Sequence, residues 1–336
     1  MSVRVAGSDP GTSSLDLLVL DDGAVRDQVR FAPDDLRADA GLPVRWLAER
    51  GPFDLVAGPS GYGLPLRRAA DCGDRDLALL SLVRPDDRDR GGVPGFSAVV
   101  RAFRASDLPV VFLPGVIHLP TVPAHRKVNR IDLGTPDKLC VAALALAQGL
   151  GGCVVELGTA FTSCLVVDGG LVVDGLGGSS GPCGWASPGA WDGETAYLLS
   201  PLAKRDLFAG GAGDVTDPAA GRTWFRESVV KAVAGLRAVT PFERIILAGR
   251  LLEAEPAVAE AVAQDLARLG RVERLPSLPG AWVKHAAQGA AVLADGLAGG
   301  RHAALVQRLA LREAAGTVLD WLQHPRADEV RSAFLT

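Results

Sequence analysis

The stretch Asp9-Pro10-Gly11-Thr12-Ser13-Ser14 lies between two apolar runs, residues 3–7 and 15–20. A carboxylate followed by glycine and three hydroxyls packs poorly and cradles phosphate well. Glycine lets the backbone approach a ligand, and the hydroxyls and N–H groups can point at phosphate oxygens. Asp9 is placed to face a magnesium ion. Taken alone, the stretch also reads as a polar β-turn with ordinary turn residues.

A second copy changes that reading. At an offset of 147 residues the stretch recurs as Glu156-Leu157-Gly158-Thr159-Ala160-Phe161-Thr162. Asp9 falls on Glu156, Gly11 on Gly158 and Thr12 on Thr159. The run Leu18-Val19-Leu20 falls on Leu165-Val166-Val167, and the turn Asp21-Asp22-Gly23 on Asp168-Gly169-Gly170, with no gap. Two copies of strand, acidic Gly-Thr turn, strand, glycine turn and strand imply a duplicated domain with two facing phosphate loops. A fainter echo joins Pro52-Phe53-Asp54-Leu55-Val56-Ala57-Gly58 to Pro241-Phe242-Glu243-Arg244-Ile245-Ile246-Leu247-Ala248-Gly249.

The composition is compatible with this. The chain has 336 residues, 48% hydrophobic and 22% charged, enough for two domains with their own cores. A net charge of −4 with scattered basic residues argues against a general nucleic-acid binder. The five cysteines, Cys72, Cys140, Cys153, Cys164 and Cys183, have no C-x-x-C spacing and read as reduced, mostly buried thiols of a cytoplasmic protein. Residues 2–10 lack the pattern of a signal peptide, and no apolar run is long enough to span a membrane. The expected partner is a small, anionic acceptor molecule, with no nucleic acid or membrane, and a homodimer is the assembly to test.

Outside the repeat, several polar loops stand out. Gly58-Pro59-Ser60-Gly61-Tyr62-Gly63 follows a short strand, where open α/β sheets tend to bind ligands. The richest polar stretch is His125-Arg126-Lys127-Val128-Asn129-Arg130-Ile131-Asp132, just after His118. Three cations within five residues suit an anionic ligand or a charged transition state, although a solvated loop with incidental ion pairs reads as well. A helix is expected to start at Thr135-Pro136-Asp137. Gly177-Gly178-Ser179-Ser180-Gly181 suits a substrate wrap or a flexible connection, with Asp192 and Glu194 nearby. Further helices are expected at 224–239, 256–269, 283–297 and 304–322, with a strand ending at Gly249. The small residues Ala286, Ala287, Gly289, Ala290 and Ala294 predict that the 283–297 helix packs closely, between layers or beside a nucleotide. Lys284 and Gln288 share one of its faces.

Together, the two hairpin loops and the strand-glycine element resemble the acetate and sugar kinase, Hsc70 and actin superfamily. Within it, Val128-Asn129-Arg130-Ile131-Asp132-Leu133-Gly134-Thr135-Pro136-Asp137-Lys138, Asp174-Gly175-Leu176-Gly177-Gly178-Ser179-Ser180-Gly181 and Gly189-Ala190-Trp191-Asp192-Gly193-Glu194 are similar to the DUF1464 group, described as predicted butyrate kinases. The resemblance implies an α/β fold of two duplicated ribonuclease H-like domains with a nucleotide cleft between them, the actin-like ATPase fold. The expected divisions are 1–150, 151–302 and a C-terminal helix in 303–336 that packs back on the first domain. By the same resemblance, Thr12, Ser13 and Ser14 contact the γ-phosphate side of ATP, with Gly11 allowing close approach. Gly158, Thr159 and Thr162 hold the β- and γ-phosphates, and Gly249 and Arg250 border the adenosine. The second loop opens with Glu156, and an acid there implies a metal-ligand role.

The expected activity is phosphoryl transfer from ATP to a small carboxylate, as in a butyrate kinase. Asp9 and Glu156 would position Mg²⁺ from opposite sides of the cleft. Arg126, Lys127 and Arg130 would neutralise the moving group and the acceptor. A carboxylate acceptor needs no base. A sugar, polyol or other alcohol does, and Asp132 is the candidate. The fold also hosts nucleotide-dependent scaffolds without turnover.

Overall fold

The computed structural model describes residues 2–87 and 95–334, so the last two residues of the charged 71–89 stretch and the end of the tail lie outside the described residues. The first sheet contains β1 (Arg4–Pro10), β2 (Leu15–Asp21), β3 (Ala24–Phe31), β4 (Leu55–Ala57), β5 (Arg67–Arg68) and β6 (Val110–Phe112). The second contains β7 (Gly152–Leu157), β8 (Thr162–Asp168), β9 (Leu171–Leu176), β10 (Arg244–Ala248) and β11 (Arg271–Arg274). Their orders are β3-β2-β1-β4-β6-β5 and β11-β10-β7-β8-β9. In each sheet three antiparallel strands lead into parallel ones. The edge strand β5, antiparallel to β6, has no counterpart among the described residues of the second sheet.

The internal repeat holds down to individual hydrogen bonds. Asp9 pairs with Asp16 and Glu156 with Ser163, so the two hairpins share one register at the 147-residue offset. Gly11 N–H donates to the Ser14 carbonyl at 2.9 Å, and Gly158 N–H to the Phe161 carbonyl at 2.9 Å. The register slips between Val19 and Leu20 in one sheet and between Val166 and Val167 in the other, again 147 residues apart. Both following turns carry two residues with positive φ: Asp22 and Gly23, then Gly169 and Gly170. That geometry matches the right-handed twist of the strands it joins, which fixes each hairpin locally.

Strand alternation divides the core. In the second sheet Cys153, Val155, Leu157, Ile245 and Leu247 face an outer core closed by Phe225, Val229 and Val233 of the Pro218–Val239 helix. Their neighbours Val154, Ile246 and Ala248 face inward, to the core shared with the first sheet. Period-two alternation in buried strands requires cover on both faces. Helix Pro218–Val239 starts earlier than its apolar spacing suggested, because the Asp217 carboxylate accepts from Ala219 N–H and Pro218 occupies the first turn.

Two helices cross between the sheets, and packing runs over the expected divisions at 150 and 302. Helix Pro136–Ala147 lies against β7 and β8 of the second sheet. Helix His285–Leu297 lies against β1, β2 and β4 of the first, and the two helices pack on each other. All residues from Ala286 to Leu297 are buried. A Cβ on Gly289 would sit 1.8 Å from the Cys140 carbonyl oxygen, so the crossing needs a bare backbone there.

The tail differs from the single helix expected at 304–322. It breaks into helix Ala303–Arg308, a 3₁₀ turn at Leu311–Glu313 and helix Ala327–Ser332. Ala310 has φ +51° and Gly316 φ +79°, which a continuous right-handed helix cannot accommodate. The broken tail still buries Leu305, Val306, Leu309, Leu311, Val318 and Leu319 in the core of the first sheet. Gly289→Ala should lower stability by about 1–3 kcal/mol through overpacking at the crossing, measurable as a shifted urea midpoint with an unchanged slope.

Candidate active site

The cleft between the two hairpins is lined by Asp9, Gly11, Thr12 and Ser13 from the first and by Glu156, Gly158 and Thr159 from the second. Both acids sit where their strands end, pointing at the gap the duplication creates. Across it, the Arg250 guanidinium donates to Ser13 Oγ at 3.2 Å, so a residue just past β10 reaches the opposite loop.

Each acid is held by a lysine from the start of a crossing helix. Lys284 immediately precedes helix His285–Leu297, and its Nζ lies 2.7 Å from Asp9 Oδ2. The same ammonium donates to the carbonyls of Asp9 (3.3 Å) and Ser14 (3.0 Å), spanning both ends of the first loop. Lys138, in the first turn of helix Pro136–Ala147, lies 3.0 Å from Glu156 Oε2 and 2.9 Å from Asp137 Oδ2. The loop duplication thus extends to its countercharges.

The electrostatic balance tilts negative. Burial raises Asp9 above the usual carboxylate range, and Lys284 does not offset it fully because Asp137 and Asp16 add repulsion. Burial likewise raises Glu156 against the pull of Lys138. Asp137 is held low, since Lys138 and the Thr135 hydroxyl outweigh its burial. Three carboxylates therefore share two ammoniums in a desolvated space. Glu156 Oε2 is buried, and its one close cation among the described residues is Lys138 at 3.0 Å, which Asp137 shares. Asp16, directly behind the first loop, belongs to a separate pair. Burial works to raise it, but Arg30 at 2.8 Å, Lys284 and Ser14 hold it low.

Asp132 also lines the cleft. Its Oδ2 accepts from the Ser179 N–H and hydroxyl, both at 2.9 Å, and its Oδ1 from Gly134 N–H at 3.1 Å. The glycine-rich 177–181 loop therefore binds back on Asp132, across the expected boundary. Beside it are Tyr62 and Lys204, with Lys204 Nζ donating to Tyr62 Oη at 2.9 Å. Leu80, Val83, Phe96, Phe161 and Phe208 also line the cleft.

The structure separates the sequence candidates. Asp9, Gly11, Thr12, Ser13, Asp132, Glu156, Gly158, Thr159 and Arg250 all line the cleft. Ser14 does not, because its hydroxyl turns back to Asp16 at 2.6 Å. Thr162 is fully buried within β8, and Gly249 lies against the backbone of Leu157. The cationic cluster is a correction. Arg126 donates to the Val173 carbonyl at 2.8 Å and to Thr240 Oγ1 at 3.0 Å. Lys127 donates to the Leu119 carbonyl at 2.7 Å and lies over the Trp321 ring. Arg130 is exposed, away from the cleft, and Asn129 ties down the tail through Trp321 and Gln323. Charge density along the chain located a strut between the second sheet and the tail. His118 is packed too: burial lowers it to about 4, so it is neutral. Asp192 caps helix Gly193–Leu198 by accepting from Glu194 N–H and Thr195 N–H.

The residues missed were Asp137, Lys138, Lys204 and, as a loop partner, Lys284. Asp137 and Lys138 stand within the 128–138 motif, and Lys284 was noted only for its spacing to Gln288. The Gln288 side chain is structural, bonding the backbones of Leu278 and Val283.

A family model, "Protein of unknown function (DUF1464)", matches residues 7–324. The chain belongs to the DUF1464 family. No curated protein matches it. Among solved structures, an acetate kinase from Entamoeba histolytica is 12% identical with a TM-score of 0.56, over 80% of this chain and 87% of that one. A ROK family glucokinase from Streptomyces griseus, in complex with glucose and AMPPNP, is 17% identical over 87% and 99% of the two chains, TM-score 0.47. A ROK hexokinase from Thermus thermophilus is 19% identical over 86% and 97%, TM-score 0.43. The acetate kinase likeness shows the fold, an actin-like ATPase architecture with two α/β sheets. No helix among the described residues is long and apolar enough to cross a membrane.

Arg126→Ala should cost about 1–3 kcal/mol by orphaning two acceptors, while Arg130→Ala should stay within about 0.5 kcal/mol. Urea unfolding of both variants checks this. A loss of nucleotide binding by Arg130→Ala would return the cluster to the cleft.

Proposed function

We propose that this protein transfers the γ-phosphoryl group of ATP to a small carboxylate, giving ADP and an acyl phosphate. The supporting observation is that the cleft brings together two sets of groups. One holds the paired acid-glycine hairpins with Lys138, Lys284 and Arg250. The other joins Asp132, Tyr62 and Lys204 to apolar walls. Hairpin N–H groups and hydroxyls suit the phosphates, and fixed cations suit the charge that develops in transfer.

In this reading the acceptor oxygen attacks the γ-phosphorus and the bond to the β,γ-bridging oxygen breaks. An ionised carboxylate brings its own lone pair, so no proton has to be removed. Lys138 and Lys284 take over the part first expected of Arg126, Lys127 and Arg130. The surplus of carboxylate over ammonium at Asp9, Asp137 and Glu156 fits a divalent cation. Among the described residues no three His, Cys, Asp or Glu side chains form a ready-made metal site. Magnesium would therefore arrive with the nucleotide, near Asp9, Glu156 and Asp137, and neutralise phosphate charge there.

Asp132 supports a second reading, in which it accepts the proton of an alcohol. Asp132→Asn separates the two. Near-normal turnover favours the carboxylate, and a large kcat loss favours the alcohol.

The direct assay is magnesium-dependent ATP consumption over short carboxylates, sugars and polyols, with hydroxylamine present to trap acyl phosphate. Hydroxamate from one acid supports the reading. ATP binding without transfer to any acceptor would instead favour a nucleotide-dependent scaffold. Lys138→Met and Lys284→Met should each lower kcat about 10²–10³-fold, the scale of removing one charge-stabilising donor.

A further inference from the structure

Three lysines line the cleft, and they are not equivalent. Lys138 and Lys284 each have a carboxylate within 3.0 Å. Lys204 has none within ion-pair distance among the described residues, and its ammonium rests on the hydroxyl and ring face of Tyr62. Burial lowers it to about 8, with Asp132 and Asp87 pulling the other way. Burial and the nearby Asp132 push the Tyr62 phenol up, so that partner stays neutral. A desolvated ammonium satisfied only by a neutral phenol is costly, and an arriving anion relieves that cost.

The surroundings define which anion. Lys204 opens the 3₁₀ segment Lys204–Phe208, which reaches across to the first half of the chain. Its backbone N–H donates to the Asp87 carboxylate, and Arg84 donates to the Leu202 carbonyl at 2.9 Å. Phe208, at the end of this strap, packs edge-on against Phe161 with ring centres 5.0 Å apart. On the facing side, Tyr62 N–H donates to the Leu80 carbonyl, and Phe96 lies against Gly61. The ammonium is thus set among apolar side chains, one of which, Phe161, belongs to the second hairpin. A short aliphatic chain ending in one carboxylate matches both the ammonium and the apolar walls.

We propose that Lys204 is the acceptor-binding residue, forming an ion pair with the carboxylate of a short aliphatic acid whose chain lies against Leu80, Phe96, Phe161 and Phe208. This rests on the carboxylate-kinase reading and names how that site would select its substrate. Lys204 binds the acceptor, whereas Lys138 and Lys284 serve the nucleotide. One acceptor oxygen meets the ammonium and the other faces the γ-phosphorus.

The test is equilibrium binding of butyrate, by calorimetry on the full chain with ADP and magnesium present, to the wild type, Lys204→Met and Lys204→Arg. Lys204→Met should bind butyrate at least about tenfold more weakly, the scale of losing one charge-assisted contact, with ADP affinity unchanged. Lys204→Arg should recover most of the loss. Wild-type affinity should fall as pH rises past about 8, where the ammonium deprotonates, and that slope should vanish in Lys204→Met. Butyramide should bind the wild type and Lys204→Met alike. Equal butyrate affinity in the wild type and Lys204→Met, or no butyrate binding by the wild type, overturns the proposal. Butyrate binding through Lys204 without trapped hydroxamate would retain the anchor and refute the transfer reading. Hydroxamate formation with an unchanged butyrate KM in Lys204→Met would do the reverse.

Discussion

The crossing of helices Pro136–Ala147 and His285–Leu297 is the constraint on which the rest of the molecule depends. Gly289 lets one backbone approach the carbonyl of Cys140 closely, and the two helices become the partition between the sheets. Each helix starts at the cleft and carries a lysine to the acid of the hairpin on its own sheet. Interior packing at near-crystal density transmits position with little slack. The spacing between the two hairpin loops is therefore set by backbone contact deep in the core.

The cleft has two electrostatic characters as a consequence. At the hairpins, charges of both signs are buried together, with a small surplus of carboxylate. Around Lys204 a single ammonium stands among aromatic and aliphatic groups. Charges desolvated alone would be costly, so both groups are held by neighbours of opposite charge or by hydrogen bonds. Asp132 stands beside Tyr62 and Lys204, fixed by the 177–181 loop, so contacts between the two halves also fix this potential base.

Much of this was legible in the sequence, because much of it is local. A hairpin's register follows from its turn, so two turns with matching glycines give two hairpins that agree in pairing, loop bond and bulge. The small-residue face of the 285–297 helix announced a close crossing. The cluster at Arg126, Lys127 and Arg130 misled because charge along a chain carries no information about where each side chain points. Arg126 and Lys127 found backbone carbonyls, and those carbonyls were supplied by distant segments. The tail looked like one helix by its apolar spacing, but its apolar residues had to follow a bent surface, and Ala310 and Gly316 make the bends.

The sequence by itself determined the duplicated hairpins, the placement of Asp9 and Glu156 at equivalent loop positions, and the polar loops that end up around the cleft. These depend on turn chemistry and strand alternation, which act over a few residues. Tertiary structure alone decided which cations serve the site. Lys284 meets Asp9 over 275 positions of chain, and Lys204 meets Tyr62 over 142, through helix crossings and a strap that no local pattern encodes.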